Sequence, residues 1–180
     1  MSSALRFSLP WRGILLGALL GLALPGLADT LSEDRVKAGF IYNFVKYTDW
    51  PAAATSGGSL RVCSPGQQAL SGELRQLQGR PALGRTIEVE LAVRAEQWKT
   101  CQVLFIPGND AKLATMAIES LARLPVLTVS DSAEFIDAGG MIGLKQMAGR
   151  IRFDINLGST RRAGLGLSSQ LLKLADKVAQ

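Results

Sequence analysis

Reactive chemistry needs suitable side chains, and the 180 residues of this chain include no histidine. That excludes histidine general bases, serine–histidine triads and every histidine-containing zinc site. Two cysteines, Cys63 and Cys101, are too few for an all-cysteine metal site with four ligands. Gly164-x-Gly166 lacks the third glycine and the preceding strand of a dinucleotide loop, and no Walker lysine motif occurs. Ser168 and Lys173 could form a serine–lysine dyad, but polar residues on a helix face usually meet solvent. Asp137 and Asp154 could form a carboxylate pair, although nothing in the sequence brings them together. Neither a catalytic set nor a metal or cofactor is therefore expected.

Two constellations suit binding better than catalysis. Arg152, Asp154 and Asn156 alternate with Ile151, Phe153, Ile155 and Leu157, so they share one face of a strand. That face is either solvated or a shallow polar pocket or partner surface, completed by Arg161 and Arg162. Arginines there could grip a carboxylate or phosphate with two parallel hydrogen bonds. The second set is aromatic: Phe40, Tyr42, Phe44, Tyr47 and Trp50. Phe40 and Phe44 fall on an inward helical stripe. Tyr47 and Trp50 fall at the helix end, where aromatics either anchor a protein interface or pack beneath a sheet.

The elements that must position these residues read as α/β. Leu31–Tyr47 carries Val36, Phe40, Ile41, Phe44 and Val45 at helical spacing, with Thr30 and Glu33 as a capping box or Ser32 as a rival cap. Asp49-Trp50-Pro51 ends that helix, and 52–59 is a small-residue loop. Leu60–Cys63 is a short strand, 67–77 a polar helix and Gly79–Gly84 a turn. Thr86–Val93 alternates, with Ile87, Val89, Leu91 and Val93 on one face and Glu88 and Glu90 on the other. Val103–Ile106 and Val126–Val129 read as buried strands. Between them Asp110–Leu124 reads as a helix with Leu113, Met116, Ala117, Ile118 and Leu121 inward. Ser130 or Asp131 then caps a short helical turn. A hairpin follows, its arms 141–144 and 150–157 joined near Ala148-Gly149. The last element, 167–178, is a helix with Leu171, Leu172, Leu174 and Ala175 inward. This order predicts a single domain with a mixed, mostly parallel sheet, helices on both faces, and a C-terminal β-hairpin plus helix.

Residues Met1–Ala28 read as a secretory leader. Arg6 and Arg12 precede the 12-residue apolar run Gly13–Leu24, and Gly26-Leu27-Ala28 suits cleavage before Asp29. An uncleaved N-terminal anchor is the alternative, although the run is short for a membrane span. Cleavage leaves the exported domain 29–180, with 18 basic and 15 acidic residues. No block of like charges points to nucleic acid. In an oxidising compartment Cys63 and Cys101 are expected to pair across neighbouring strands, the other reading being two buried thiols.

From Glu33 to Asp176 the chain resembles the YfiR family of small periplasmic proteins. The resemblance is carried by EDRVKAGFIYNFVKYTDWP (33–51), CQVLFI (101–106), PVLTVSD (125–131), FIDAGGMIGL (135–144), GRIRFDINL (149–157) and AGLGLSSQLLKLAD (163–176), in that order. It implies a regulator and not an enzyme: a repressor that binds the periplasmic sensor domain of an inner-membrane diguanylate cyclase, lowering cyclic-di-GMP and biofilm formation. An outer-membrane lipoprotein as a sequestering partner and a homodimer are further implications. A small-ligand sensor acting with a histidine kinase is the alternative. Relatives with two disulfides are implied as well, whereas this chain has only Cys63 and Cys101. Of the ligand site the resemblance implies, Asp154 matches an acidic position. Gly166 and Ser168 stand where an arginine and a histidine are expected.

Overall fold

The structure, a computed structural model, describes the backbone of residues 26–180 and the side chains from Glu33 onward. The expected leader therefore lies outside the described residues up to position 25. Helix α1 (Gly26–Lys46) runs across the expected cleavage position. It begins ahead of Thr30 and Ser32, so neither caps it. Pro25 and Pro51 are the nearest prolines on either side, so no proline interrupts α1 between Gly26 and Lys46. Ala38, Ile41, Phe44 and Val45 form the buried stripe of α1, and Phe40 is half-buried against it. Val36 was expected on that stripe and is 44% exposed. It precedes Ala38 by two residues, which turns it about 200° round the helix.

Eight strands build one sheet with the order β10-β8-β7-β6-β5-β2-β4-β3. Strands β2 (Ser59–Ser64), β4 (Arg85–Leu91), β5 (Val103–Ile106), β6 (Leu127–Ser130) and β7 (Ile142–Met147) form its parallel part. β8 (Arg150–Asn156) runs antiparallel to β7, and β10 (Lys177–Ala179) runs parallel to β8. β3 (Pro81–Ala82) closes the far edge against β4. The expected mixed, mostly parallel α/β sheet is thus what forms. Each hairpin turns on two residues with positive φ, Leu83-Gly84 and Ala148-Gly149. That conformation suits the twist of the paired strands.

Both faces of the sheet are covered. Val103 and Phe105 point into a core shared with α1 and with α2 (Leu70–Arg75), whereas Leu104 and Ile106 point into a second core beneath α3 (Ala111–Leu121). A 3-10 turn, Ala95–Thr100, carries buried Trp98 into the second core. Cys63 and Cys101 lie there too and are disulfide-bonded, with Cα atoms 6.0 Å apart. β2 and β5 are the neighbouring strands that the sequence reading required.

In α3, Asp110 is the N-cap, its carboxylate accepting from the Leu113 amide at 2.9 Å. Ala114, Ala117 and Leu121 define the buried line, and Met116, expected inward, is 44% exposed on the far side. The segment after Ser130 forms turns through Ala133–Gly139 in place of the expected helical turn, with Ser130 Oγ accepting from the Ser132 amide.

The C-terminal segment departs most from expectation. The chain folds as α4 (Leu157–Arg162), β9 (Gly166–Leu167), α5 (Ser169–Leu174) and β10 in place of one long helix. Ser168 caps α5 by accepting from the Leu171 amide, and the Asp176 amide donates to Phe153 O at 2.9 Å, which draws the chain into the ladder beside β8. Leu171 is buried, but Leu174, expected inward, is 65% exposed.

The disulfide spans 38 residues, a loop worth about 4 kcal/mol in the chain-entropy description. Retained structure in the reduced chain takes back part of this. Reduction is expected to cost about 2 kcal/mol and to lower the melting temperature by roughly 4–8 °C. Calorimetry with and without reductant measures it, and coincident melting curves would show that the bond carries no stability.

Candidate functional site

The aromatic end of α1 is built from its packing outward. Phe40 and Phe44 meet Phe153 of β8 edge-on, with ring centroids 5.3 and 5.1 Å away. Tyr42, off that stripe, donates its hydroxyl to Pro81 O at 2.8 Å and carries the Arg80 guanidinium 3.8 Å above its ring. It therefore ties α1 to edge strand β3. The next residues form β1 (Thr48–Asp49), which pairs with β9 through Thr48↔Leu167 and Asp49↔Gly166, a ladder the sequence reading missed. Tyr47 O accepts from the Ser168 amide at 3.0 Å.

Tyr47 and Trp50 are both half-buried against the first core, each leaving an edge in solvent. Lys46 lies 5.6 Å from the Tyr47 ring centroid. Trp50 Nε1 and Thr48 Oγ1 are buried without a hydrogen-bond partner. Both line a small hollow of about 220 Å³ beside Asp49 and Arg85. Each is a polar atom that an incoming group could satisfy.

The polar face of β8 forms as the alternation required, and two of its three side chains serve the fold. Lys145 Nζ sits 2.8 Å from both carboxylate oxygens of Asp154 and 2.7 Å from Asp176. This cluster joins β7, β8 and the residue just before β10. Asn156 caps α4, its Oδ1 accepting from the Ser159 amide at 2.9 Å. Arg162 Nη2 donates to Ser159 Oγ, which itself donates to Gly139 O. Arg162 is thereby linked to Asn156 through Ser159, whereas Arg152 and Arg161 stand exposed. The Asn-x-x-Ser spacing at 156–159 was the available signal for α4, and it was masked by the strand pattern running into Leu157.

A further patch was not read from the sequence. Arg150, Arg152, Phe40 and Leu174 line a shallow hollow of about 260 Å³ beside β8. Leu174 contributes a large apolar side chain in the open, and the two arginines frame it with positive charge. Chemically the hollow suits an acidic and apolar protein surface better than a small metabolite. Ser168 Oγ is engaged in capping α5, which is a structural use for the serine of the formal dyad.

Comparison with known proteins follows the same architecture. The sequence model described as YfiR/HmsC-like matches residues 34–176. A solved structure, a conserved domain protein from Vibrio cholerae O1 biovar El Tor strain N16961, superposes with a TM-score of 0.50. The match covers 81% of this chain and 60% of that one at 11% identity, so it shows similarity of fold alone. This chain thus accounts for about 60% of the length of that structure.

The Lys145 cluster makes a direct expectation. The hydrogen bond from Lys145 lowers the Asp176 pKa below 3.8, and the hydrogen bond to Asp154 is the first cause raising Lys145 above 10.5. Asp176 therefore contributes stability above about pH 3.8, lost as pH falls through its depressed folded value. The Lys145 contribution is present below 10.5 and lost as pH rises through its raised value. In the Lys145→Ala variant the Asp176 carboxyl carbon should titrate near its ordinary value in NMR. Amide exchange in β10 should quicken by roughly two- to fivefold while β2 is unchanged, the modest scale of exposed pairs. An Asp176 titration identical in both proteins would show that the pairing does not exist in solution.

Proposed function

The chain belongs to the YfiR/HmsC-like family, and from that premise we propose that it is a periplasmic regulatory protein that represses an inner-membrane diguanylate cyclase by docking on its periplasmic sensor domain. The leader 1–28 carries it across the inner membrane, and the Cys63–Cys101 bond forms in the oxidising space beyond. Repression lowers cyclic-di-GMP and biofilm formation. An outer-membrane lipoprotein that captures the regulator relieves it, and the regulator works as a homodimer.

One observation carries the docking surface: Leu174 is 65% exposed in a hollow framed by Arg150 and Arg152. Half-buried polar groups of Asp154 and Asn156 stiffen the strand beneath it through Lys145 and α4. Half-buried Trp50 and Tyr47 add aromatic edges of the kind that dominate interface energetics. The mechanism is occupancy. A bound regulator shifts the two-state equilibrium of the sensor only by its differential affinity for the two states, and about 2.7 kcal/mol shifts it roughly a hundredfold.

Deleting the gene is expected to raise cellular cyclic-di-GMP and surface attachment, measured by mass spectrometry and crystal-violet staining. Complementation by the unaltered chain should reverse both, while Leu174→Asp or Trp50→Ala should restore repression only weakly, with affinity for the sensor domain reduced roughly tenfold or more. The folded state of each variant is checked by its melting temperature. Unchanged second-messenger levels in the deletion strain would remove the cyclase as target.

A further inference from the structure

The sheet has a topological switch point that the docking surface does not use. β2 and β5 are adjacent and parallel. The chain leaves β2 through α2, on the α1 side, and reaches β4. It leaves β5 through α3, on the opposite side, and reaches β6. The two connections diverge, so a crevice opens at the carboxyl ends of these strands. In open α/β sheets this is where small ligands bind, because loops there line a gap that no side chain of the sheet fills.

The crevice here has a volume of about 500 Å³, within the range of about 300–1,000 Å³ typical of small-molecule pockets. Leu70, Phe105 and Pro107 give it an apolar floor. Gly108 lets the loop after β5 close on the loop after β6, since a Cβ there would stand 2.7 Å from the Asp131 backbone. The polar groups of the lining are Gln68, Asn109, Asp131 and, from α1, Asp34. Among the described residues, no lysine or arginine lines it.

The two carboxylates differ in what they have left to give. Asp131 is engaged: Oδ1 accepts from the Gly108 amide at 2.7 Å and Oδ2 from Lys37 at 2.8 Å. Lys37 is shared with Glu33. Asp34 takes part in none of the ion pairs found among the described residues. Burial is the first cause that pushes its carboxyl above the ordinary value; Lys37 opposes the rise, and Glu33, Asp131 and Glu73 add to it. Anions are disfavoured at this site. The cap of α3 is the Asp110 carboxylate, which already takes the Leu113 amide.

We propose that the crevice between the ends of β2, β5 and β6 binds a small organic cation, its amino or guanidino group against the Asp34 carboxylate and its compact apolar body on Leu70, Phe105 and Pro107. The side-chain oxygens of Gln68 and Asn109 are further acceptors for the same group. The proposal does not rest on the docking reading, and its failure would leave that reading untouched.

The test is titration calorimetry on the purified protein with tyramine, agmatine and putrescine, and with 4-hydroxyphenylacetate as an anion on the same aromatic body as tyramine. At least one amine should give a saturable heat and the anion none. Asp34→Asn, nearly isosteric, and Ala69→Trp, which fills the mouth from an exposed position, should each weaken that amine at least tenfold. Asp176→Asn, beside edge strand β10 and away from the crevice, should bind as the unaltered protein does. Absence of heat with all three amines, preference for the anion, or unchanged affinity in folded Asp34→Asn and Ala69→Trp would each overturn the site.

Discussion

The double-sided burial of the central strands governs this molecule. β5 has all four residues buried, with alternate side chains serving two separate cores. A strand of that kind needs a covering layer on each face. The chain meets the need with α1 and α2 on one side and α3 with the Trp98 turn on the other. Covering opposite faces from adjacent strands forces their connections apart, and the crevice at the strand ends follows from that divergence. The second core is the smaller, and its β2–β5 side has only a 3-10 turn above it. The disulfide lies in that thinner layer, where a covalent link supplements limited apolar burial.

A second constraint closes the chain on itself. The end of α1 becomes β1 and pairs with β9, so residues near both ends of the described chain share one small ladder. β10 then lies against β8 and is held by the Lys145 cluster from the sheet side. Long-range closure of this kind costs loop entropy, and the apolar contacts of Phe40, Phe44 and Phe153 with one another offset it. The aromatic cluster thus has two uses. Its buried members join helix to sheet, and Tyr47 and Trp50 extend the same ridge to the surface.

Legibility in the sequence followed the range of the interactions. β5 was readable to the residue, because a short apolar run admits few alternatives once the neighbouring helix is recognised. The disulfide was readable because two cysteines have one pairing, here at the edges of two strand-like runs. Leu174 was misread because its spacing fits a helix, while the hydrogen bond from the Asp176 amide to Phe153 O ends the helix early and adds a strand. That bond joins residues 23 positions apart, and local periodicity carries no information about it. Val36 and Met116 failed for a related reason. Each is apolar and roughly in phase, but the burial axis of a helix is set by what lies across from it. The polar face of β8 was identified correctly as a face, yet the roles of Asp154 and Asn156 depended on Lys145 and on α4. The crevice was invisible in the sequence, because its lining comes from four separate segments.

The docking role proposed above relies on shape and charge held in place. Contact yields affinity only after the cost of ordering the surface has been met, so a surface fixed in advance binds more tightly for the same area. The framework here does that fixing. Phe153 anchors β8 to α1, Lys145 joins β7 and β8 to the residue before β10, and Asn156 at the end of β8 starts α4. Arg150, Arg152 and Leu174 are then free to face outward from a rigid support. The same helix α1 runs from Asp34 at the crevice to Lys46 beside Tyr47, so the two surfaces share one element of about 20 Å. A ligand at one end affects the other only so far as that helix has a second position with a different affinity, because linkage between sites is limited by differential binding to distinct states.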